Sequence, residues 1–443
     1  MSVPKIVMIG AGSYAWTPLL LSDLLYKPSL ESAHLVLVDP VPEPLAMCEQ
    51  FAHLVSKQRK LSAKISTATE FDEAADGADF VLITISTGGL EAMRHDLAVP
   101  EKYGIFQTVG DTVGPGGWSR SLRNIPVFQR FATIMAERCP QATVLNYTNP
   151  LTVLTGVLSG GRNKVVGLCH GLFENIAVLK TMFELESEDD VRLKIAGINH
   201  FFWTLAMTIQ GKEGYAQLEE RLSGRTLAEV VTQIHRDEMG FHSNKYVCDE
   251  LYRTHGLLPY LGDRHICEFL PDKLAPDTRN LEKYKLERTS IEERYENRGK
   301  ARQKLVDMLE AREPLPKPTR ETAADIIDAI WAGHPIVDVV NVPNIGQVSN
   351  LPSGLVVETM GRVTPLGFEP LTAGALPDPI RALIDPHAQA LKLTLEAGVE
   401  QGRNKALEAL ACDPLCSHLS DSQIRQMGSE LLAANRQWVP TLN

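Results

Sequence analysis

The chain has 443 residues, of which 22% are charged and 44% hydrophobic, and its net charge is −11 at neutral pH. This composition excludes a disordered chain, and the acidic balance argues against general binding to nucleic acid or membrane surfaces. No apolar run approaches the roughly 20 residues of a membrane span, and the N-terminus does not resemble a secretion signal. The 7 cysteines are scattered, so we expect reduced thiols and a cytoplasmic protein rather than a disulfide framework.

The N-terminus carries a pattern typical of a nucleotide site. Residues 5–9 predict a buried strand, and the turn Gly10-Ala11-Gly12-Ser13 and a predicted helix follow it. Two glycines permit a tight turn and close backbone approach to a pyrophosphate, which the helix N-terminus then binds. The next predicted strand ends in Asp39, and a carboxylate there favours NAD over NADP. The predicted cofactor-binding residues are Gly10, Gly12, Ser13 and Asp39; a glycine turn in another kind of α/β protein is the alternative.

The remaining predicted elements suggest two lobes. Strands are predicted at residues 34–38, 63–69, 79–85, 143–147 and 164–168, with helical segments between them. This alternation predicts an α/β fold with an N-terminal Rossmann-like, doubly wound parallel sheet. Later predictions are a strand at 202–209 that enters a different sheet, a solvated helical stretch without chemistry at 283–310, strands at 337–342 and 355–359, and helices within 379–411. We expect residues 1–200 to bind the dinucleotide. Residues 201–443 should form a closely packed α+β domain for substrate, metal and oligomerisation.

Two later dipeptides carry soft metal donors. Cys169-His170 and Asn199-His200 each follow an apolar run, and Asn149 follows a third run. Ligands of open α/β sheets bind beyond the carboxyl ends of the strands, and a thiolate with an imidazole suits Mn, Fe, Co, Ni or Zn. We therefore predict Cys169 and His200 as metal ligands. The alternatives are a buried apolar cysteine and a hydrogen-bonded core histidine.

Two polar turns complete the candidate site. We expect neither helix nor strand in the glycine-rich segment 110–118, which begins near Asp111 and ends in Trp118, a sugar platform or a loop anchor. The tetrapeptide Gly262-Asp263-Arg264-His265 brings an acid, a cation and a base together. On these residues alone, a turn-capping role for Asp111 and a plain surface turn at 262–265 both remain open.

In combination, these motifs resemble glycoside hydrolase family 4. The resemblance runs nearly end to end and includes Gly10–Ser13, Gly110–Gly117, Asn146–Pro150, Cys169–Gly171, Gly197–His200, Asn341–Asn344 and Asp413–Leu415. This family is the NAD-dependent exception among glycosidases. The resemblance implies that NAD⁺ accepts a hydride from C3 of the sugar, a base removes the C2 proton, and a divalent ion such as Mn²⁺ stabilises the enediolate. The aglycone is then eliminated, water adds, and the ketone is reduced again.

The resemblance also implies residue roles. The family's metal ligands fall on Cys169 and His200, its substrate asparagine on Asn149 and its general acid on Asp111. The position of its frequent tyrosine base is occupied by Asp263, and His265 is a rival for that role.

The residues after Cys169 inform the substrate class. Members that act on 6-phosphoglycosides carry Cys-Asn-x-Pro, whereas this chain has Cys169-His170-Gly171-Leu172. The resemblance therefore implies a non-phosphorylated α-glycoside, with His170 in the substrate site. The segments around 111 and 262–271 look most like members that cleave α-galactosides and α-uronides. Arg94 and Arg264 are candidates for a carboxylate clamp, or for surface ion pairs, and we expect an α-galacturonide or α-glucuronide.

Two other classes share part of this pattern. A lactate- or malate-type dehydrogenase has the same N-terminal lobe but needs a histidine–aspartate pair and no cysteine–histidine metal site. A non-catalytic NAD-binding sensor needs neither acid nor base. We expect a homodimer or homotetramer that binds a small-molecule glycoside as its substrate.

Overall fold

The computed structural model describes residues 3–233, 244–440 and 442. The strands within these residues are β1 (Lys5–Ile9), β2 (His34–Val38), β3 (Lys64–Ala68), β4 (Phe80–Ile83), β5 (Thr143–Asn146), β6 (Lys164–Gly167), β7 (Val191–Ile198), β8 (Phe201–Ile209), β9 (Lys212–Glu213), β10 (Ile336–Pro343), β11 (Val356–Thr364) and β12 (Gly367–Pro370). The helices are α1 (Trp16–Tyr26), α2 (Pro42–Arg59), α3 (Phe71–Ala74), α4 (Gly89–Glu101), α5 (Gly114–Arg138), α6 (Leu151–Ser159), α7 (Gly171–Met182), α8 (Gly214–Leu222), α9 (Leu227–Gln233), α10 (Tyr246–His255), α11 (Asp263–Ile266), α12 (Pro271–Leu274), α13 (Arg279–Lys283), α14 (Ile291–Leu309), α15 (Ala323–Trp331), α16 (Asp378–Glu400), α17 (Arg403–Ala411) and α18 (Asp421–Ala434). Among the described helices, none combines the length and the apolar character that crossing a membrane requires.

One mixed sheet runs through the molecule. Six strands are parallel in the order β3-β2-β1-β4-β5-β6, which is the strand order of dinucleotide-binding Rossmann folds. The sheet continues through β10, β11, β7, β8 and β9, with β12 paired to β11. These later neighbours are antiparallel. The predicted α/β class with a doubly wound parallel sheet is confirmed.

The strand at Phe201–Ile209 corrects one prediction. It does not enter a different sheet, because the hairpin of β10 and β11 inserts between β6 and β7 and joins all strands into one sheet. The joins are short: β10 meets β6 at Asn341 and Gly167, and β11 meets β7 at residues 358 and 359.

Alternating strand residues build a core on each face of the sheet. In β1, Val7 and Ile9 pack into one core while Ile6 and Met8 pack into the other, because successive side chains of a strand point to opposite faces. Helices α5, α6 and α16 contribute to the first core, and α1, α2 and α15 to the second. The parallel strands are therefore covered on both faces, as their continuous apolar sequences predict.

The glycine-rich segment 110–118 also differs from expectation, because α5 begins inside it at Gly114. Groups from elsewhere satisfy the first turn: Gly114 N–H donates to Asp413 Oδ2 at 2.9 Å, and Gly116 N–H donates to Gln107 Oε1 at 2.8 Å. Pro115 has no N–H to satisfy and suits a helix start. These distant caps are invisible in the local sequence, which explains why the helix start was missed.

Candidate active site

The first glycine turn is shaped by close backbone approach. Gly10 has a φ of +89°, and a Cβ there would lie 2.4 Å from the carbonyl oxygen of Thr84. Gly12 N–H donates to Asp39 Oδ2 at 2.9 Å, and a Cβ at Gly12 would lie 2.7 Å from that carboxylate. Ser13 Oγ accepts from Trp16 N–H at 3.2 Å, where α1 starts. The turn, the helix and the acid that ends β2 together fit a dinucleotide.

Cys169 and His200 meet at the second part of the site. Cys169 lies between β6 and α7, and His200 is the second residue of the two-residue turn between β7 and β8. Cys169 Sγ is 3.3 Å from His200 Nε2, so the two donor atoms are close enough to share one ion. His200 has a φ of +63°, an uncommon conformation that tends to cluster at functional sites. This donor set fits a soft or borderline divalent metal ion.

Thr112 orients the imidazole of His200. The Thr112 hydroxyl donates to Asp111 Oδ1 at 2.8 Å, and the same hydroxyl lies 2.9 Å from His200 Nδ1. Because the hydroxyl has a single proton, it must accept from Nδ1–H while it donates to Asp111. The lone pair of a neutral imidazole is then on Nε2, facing Cys169. Burial lowers the pKa of His200 well below its usual value, which keeps the imidazole neutral and able to bind a metal.

Buried polar groups support the turn that carries His200. Asn199 Nδ2 donates to Glu358 Oε2 at 3.1 Å, and Glu358, on β11, is fully buried. Burial raises the pKa of Glu358 to about 7. Burial also raises the pKa of the Cys169 thiol, so metal binding must release its proton.

His265 and Asp111 complete the polar cluster around His200. The rings of His265 and His200 have centroids 4.2 Å apart. Ligand atoms of Asp111, His200 and His265 lie within 4.8 Å of one another. Burial lowers the pKa of His265 to about 4. The imidazole is therefore neutral at physiological pH and able to accept a proton.

Asp111 is ionised in this setting. Burial would raise the pKa of Asp111, but His265, Arg120 and His200 outweigh that effect and bring it to about 2. Asn149 Nδ2 lies 3.4 Å from Asp111 Oδ2, and Arg120 Nε donates to the carbonyl oxygen of Asn149 at 2.9 Å. A carboxylate held this way accepts hydrogen bonds readily, and its role as the general acid stays a prediction.

Asp263 is oriented differently from His265. Its Oδ1 accepts from Cys248 N–H at 3.0 Å, at the first turn of α10, and its side chain is 1% exposed. Burial raises the pKa of Asp263. Lys245, which forms a buried ion pair with Glu174, lies close enough to Asp263 to oppose this rise in pKa. Asp263 therefore stabilises the start of a helix in this structure, and its role as the C2 base stays a prediction.

The other predicted residues are more dispersed. Arg94 pairs with Glu292 at 2.8 Å, and both side chains are largely exposed, so Arg94 is not part of the cluster around Asp111. His170 Nδ1 lies 3.4 Å from Glu321, and its ring stacks on Trp16 with centroids 6.0 Å apart. The stacking connects the residue after Cys169 to Trp16, the first residue of α1.

Trp118 is buried and donates to the carbonyl oxygen of Ala406 at 2.7 Å, which makes it an anchor rather than a sugar platform.

Sequence reasoning missed two arginines near Asp111. Arg120 is buried on α5, although the segment before it was expected to be irregular. Arg294 lies on α14, in the stretch expected to be a solvated helix without chemistry, yet its Nη2 donates to the carbonyl oxygen of Val109 at 3.2 Å. The available signal was weak: a run of alternating charges identifies the helix but does not show which residue turns inward.

A Rossmann-type sheet with a cysteine–histidine pair beside its glycine turn has the features of a dinucleotide-dependent, metal-assisted enzyme. Comparisons with known proteins narrow this class. The chain matches the models for Family 4 glycosyl hydrolase over residues 5–185 and for the Family 4 glycosyl hydrolase C-terminal domain over residues 195–416. It is 33% identical over 439 residues to an alpha-galacturonidase of Bacillus subtilis (strain 168), covering 97% of this chain and 96% of that protein.

Solved structures agree with this result. A Bacillus subtilis protein described as the glucosidase lplD has a TM-score of 0.89 at 30% identity, covering 98% of this chain and 100% of that chain. A 6-phospho-alpha-glucosidase from gut microorganisms, crystallised with NAD and Mn²⁺, has a TM-score of 0.83 at 19% identity and covers 100% of both chains. The chain belongs to glycoside hydrolase family 4. It is therefore a glycoside hydrolase, and the dehydrogenase and sensor alternatives are set aside.

Proposed function

We propose that this protein hydrolyses non-phosphorylated α-hexuronides, with an α-galacturonide preferred, in a reaction that requires bound NAD⁺ and a divalent ion such as Mn²⁺. The likeness to an alpha-galacturonidase over 97% of the chain supports the substrate. The Cys169–His200 pair, 3.3 Å apart, is the single observation that carries the metal requirement. Its connection to the glycine turn through His170 and Trp16 supports a joint site for metal and cofactor.

Each cofactor has residues that fit it. Gly10, Gly12, Ser13 and Asp39 would hold NAD⁺, and Cys169 and His200 would hold the metal ion. When bound, these groups supply a reversible hydride acceptor for C3 and a Lewis acid for the neighbouring sugar oxygens. Asn149 and His170 are proposed to orient the sugar.

We propose that His265, rather than Asp263, is the base that removes the proton from C2. The imidazole of His265 faces His200 at 4.2 Å between centroids, whereas the Asp263 carboxylate accepts a backbone N–H of α10. A general base must lie within reach of the proton that it removes, so we choose between the two residues by their position first and by their pKa second. Asp111, 3.4 Å from the Asn149 amide, is proposed to interact with the leaving oxygen.

Location and assembly are proposed on separate grounds. A metal site that depends on the free thiol of Cys169 requires a reducing compartment, which supports a cytoplasmic location. We propose separately that the protein assembles as a homodimer or homotetramer. Light scattering of the purified protein measures the assembly directly.

A substrate screen tests the proposed function. The enzyme is incubated with NAD⁺, Mn²⁺ and a thiol reductant, and hydrolysis of 4-nitrophenyl α- and β-hexosides, hexuronides and 6-phosphohexosides is compared. We expect the α-hexuronides to be cleaved fastest, with no net formation of NADH. Preference for a neutral hexoside or a 6-phosphohexoside would contradict the proposed substrate.

A further inference from the structure

Arg264 and Arg294 lie beside the polar cluster around His200, as does Arg120, whose Nε already donates to the carbonyl oxygen of Asn149. Within the described part of the chain, no carboxylate oxygen lies within 4.0 Å of Arg264 or Arg294. Two arginines nearby are paired with a carboxylate: Arg94 with Glu292, and Arg288 with Glu101. Arg264 directly precedes His265, and Arg294 reaches the backbone two residues before Asp111.

Thr289 fixes these two guanidinium groups side by side. Arg264 Nη2 donates to Thr289 Oγ1, and Arg294 Nε donates to the carbonyl oxygen of Thr289 at 3.4 Å. Arg264 Nε is buried and has no hydrogen-bond partner among the described residues. Since a buried cationic donor without a partner is costly, its geometry indicates a site that a ligand completes.

Two of the carboxylates near Arg294, those of Asp111 and Glu268, are already engaged elsewhere. Asp111 accepts from Thr112 at 2.8 Å and from Asn149 at 3.4 Å. Glu268 Oε1 accepts from Val109 N–H at 2.7 Å and Gly110 N–H at 2.8 Å, and Glu268 is fully buried. Within the described residues neither carboxylate pairs directly with a guanidinium, so both guanidinium groups keep donors for a ligand carboxylate.

We propose that Arg264 and Arg294 form the subsite that binds the C6 carboxylate of the substrate and selects hexuronides over neutral hexosides. This inference rests on the proposed function and adds the residues that determine specificity. A guanidinium offers a planar fork that matches a carboxylate, and two forks held by Thr289 would bind it from adjacent sides. The role predicted for Arg94 passes to Arg294, because Arg94 is paired at the surface.

The test compares two substrates that differ only at C6. Arg264→Gln, Arg294→Gln and Arg294→Lys are assayed with 4-nitrophenyl α-galacturonide and 4-nitrophenyl α-galactoside, with NAD⁺, Mn²⁺ and a reductant. Lys300→Gln, which removes a charge from an exposed position of the same helix, is the matched control. Binding of free galacturonate and free galactose, measured by calorimetry, gives a readout that does not depend on turnover.

We expect each glutamine variant to lower kcat/KM for the galacturonide about 100-fold, mainly through KM, because it removes a charge-assisted hydrogen bond. The galactoside should change by less than about threefold, since a neutral C6 group does not use the guanidinium. Arg294→Lys should recover part of the loss, and Lys300→Gln should match the wild type. Galacturonate affinity should fall in parallel with kcat/KM.

Other outcomes separate the inference from the proposed function. If the wild type prefers the galacturonide but the variants lose both substrates equally, or neither, the subsite is overturned while the function stands. If the wild type prefers the galactoside, the proposed substrate itself is wrong. If 6-phosphogalactoside is the preferred substrate and the variants lose it, the arginines bind phosphate, and the carboxylate assignment is overturned.

Discussion

The Nδ1 atom of His200 lies 2.9 Å from the Thr112 hydroxyl, and this contact determines which nitrogen of His200 can bind a cation. Thr112 donates its only proton to Asp111, 2.8 Å away, and so accepts from Nδ1–H. The glycine-rich loop thereby orients a ligand that lies 88 residues further along the chain. Hydrogen-bond partners of a metal-binding histidine orient its ring and tune the affinity of the site for the metal.

Thr112→Val should weaken Mn²⁺ binding by about 10- to 100-fold, because the methyl group that replaces the hydroxyl cannot hold the tautomer. Thr112→Ser keeps the hydroxyl and should retain near-normal affinity. Electron paramagnetic resonance of free Mn²⁺ during a titration measures both. Equal affinity in the valine variant and the wild type would show that the contact does not orient His200.

Cys169→Ser and His200→Ala should each lose both activity and Mn²⁺ affinity, since each removes a protein donor from the ion. Cys412→Ser is the matched control, because Cys412 is an exposed cysteine outside the site. The same titration, followed by chelator treatment and reconstitution with Mn²⁺, separates loss of metal from loss of fold. Variants that bind Mn²⁺ as the wild type does would assign the ion to other residues.

Glu268 should make stability depend on pH. Burial raises the pKa of Glu268 to about 7, from an ordinary value of 4.5. The folded state therefore keeps a proton that the unfolded state releases, so this stabilising contribution is complete below pH 4.5 and is lost as the pH rises to 7. The change is of order 3 kcal/mol in the free energy of unfolding.

Urea denaturation of the wild type and of Glu268→Gln at several pH values measures this contribution. The glutamine variant should show a flatter dependence between pH 4.5 and 7, because it cannot titrate. Glu137→Gln, at an exposed position, should keep the slope of the wild type. Parallel curves for Glu268→Gln and the wild type would disprove the assignment.

Breaking the buried ion pair of Asp96 and Arg123 should destabilise the fold far more than breaking an exposed ion pair. Both side chains are fully buried, and two hydrogen bonds of 3.0 and 2.6 Å join them. Asp96→Ala leaves a buried guanidinium unpaired and should cost about 3–5 kcal/mol in the free energy of unfolding. Glu70→Ala breaks the exposed pair with Arg130 and should cost about 0–1 kcal/mol. Similar costs for both variants would contradict the argument from burial.

The sequence predicted the parallel half of the fold well because its signals are local. Apolar runs flanked by glycine or by polar residues identify strands that are covered on both faces, and β1, β2 and β6 lie close to their predicted bounds. The sequence did not predict the start of α5, because the side chains that cap it lie outside the helix. Asp413 is far away in the chain, and Gln107 precedes the helix. The placement of β8 was wrong because the pairing of β10 with β6 is a long-range contact.

The candidate site shows the same division. Cys169 and His200 were predicted from residue type and position after apolar runs, and the structure brings their donor atoms to 3.3 Å. Arg294 was overlooked because charge patterning gives the helix but not the side that the tertiary contacts bury. Asp263 and His265 are two residues apart, and only the fold directs one toward α10 and the other toward His200.

We expect hydrolysis to proceed through loss of the C2 proton and not by direct displacement. NMR analysis of the product formed from an α-galacturonide in D₂O distinguishes the two routes. We predict deuterium at C2 of the released galacturonate, because the proton taken by His265 exchanges with solvent before C2 is protonated again. His265→Gln should slow this exchange and hydrolysis together, and Asp263→Asn should slow them far less. Product with hydrogen fully retained at C2, from an enzyme that still hydrolyses the glycoside, would show that the C2 proton is never removed and that hydrolysis is a direct displacement.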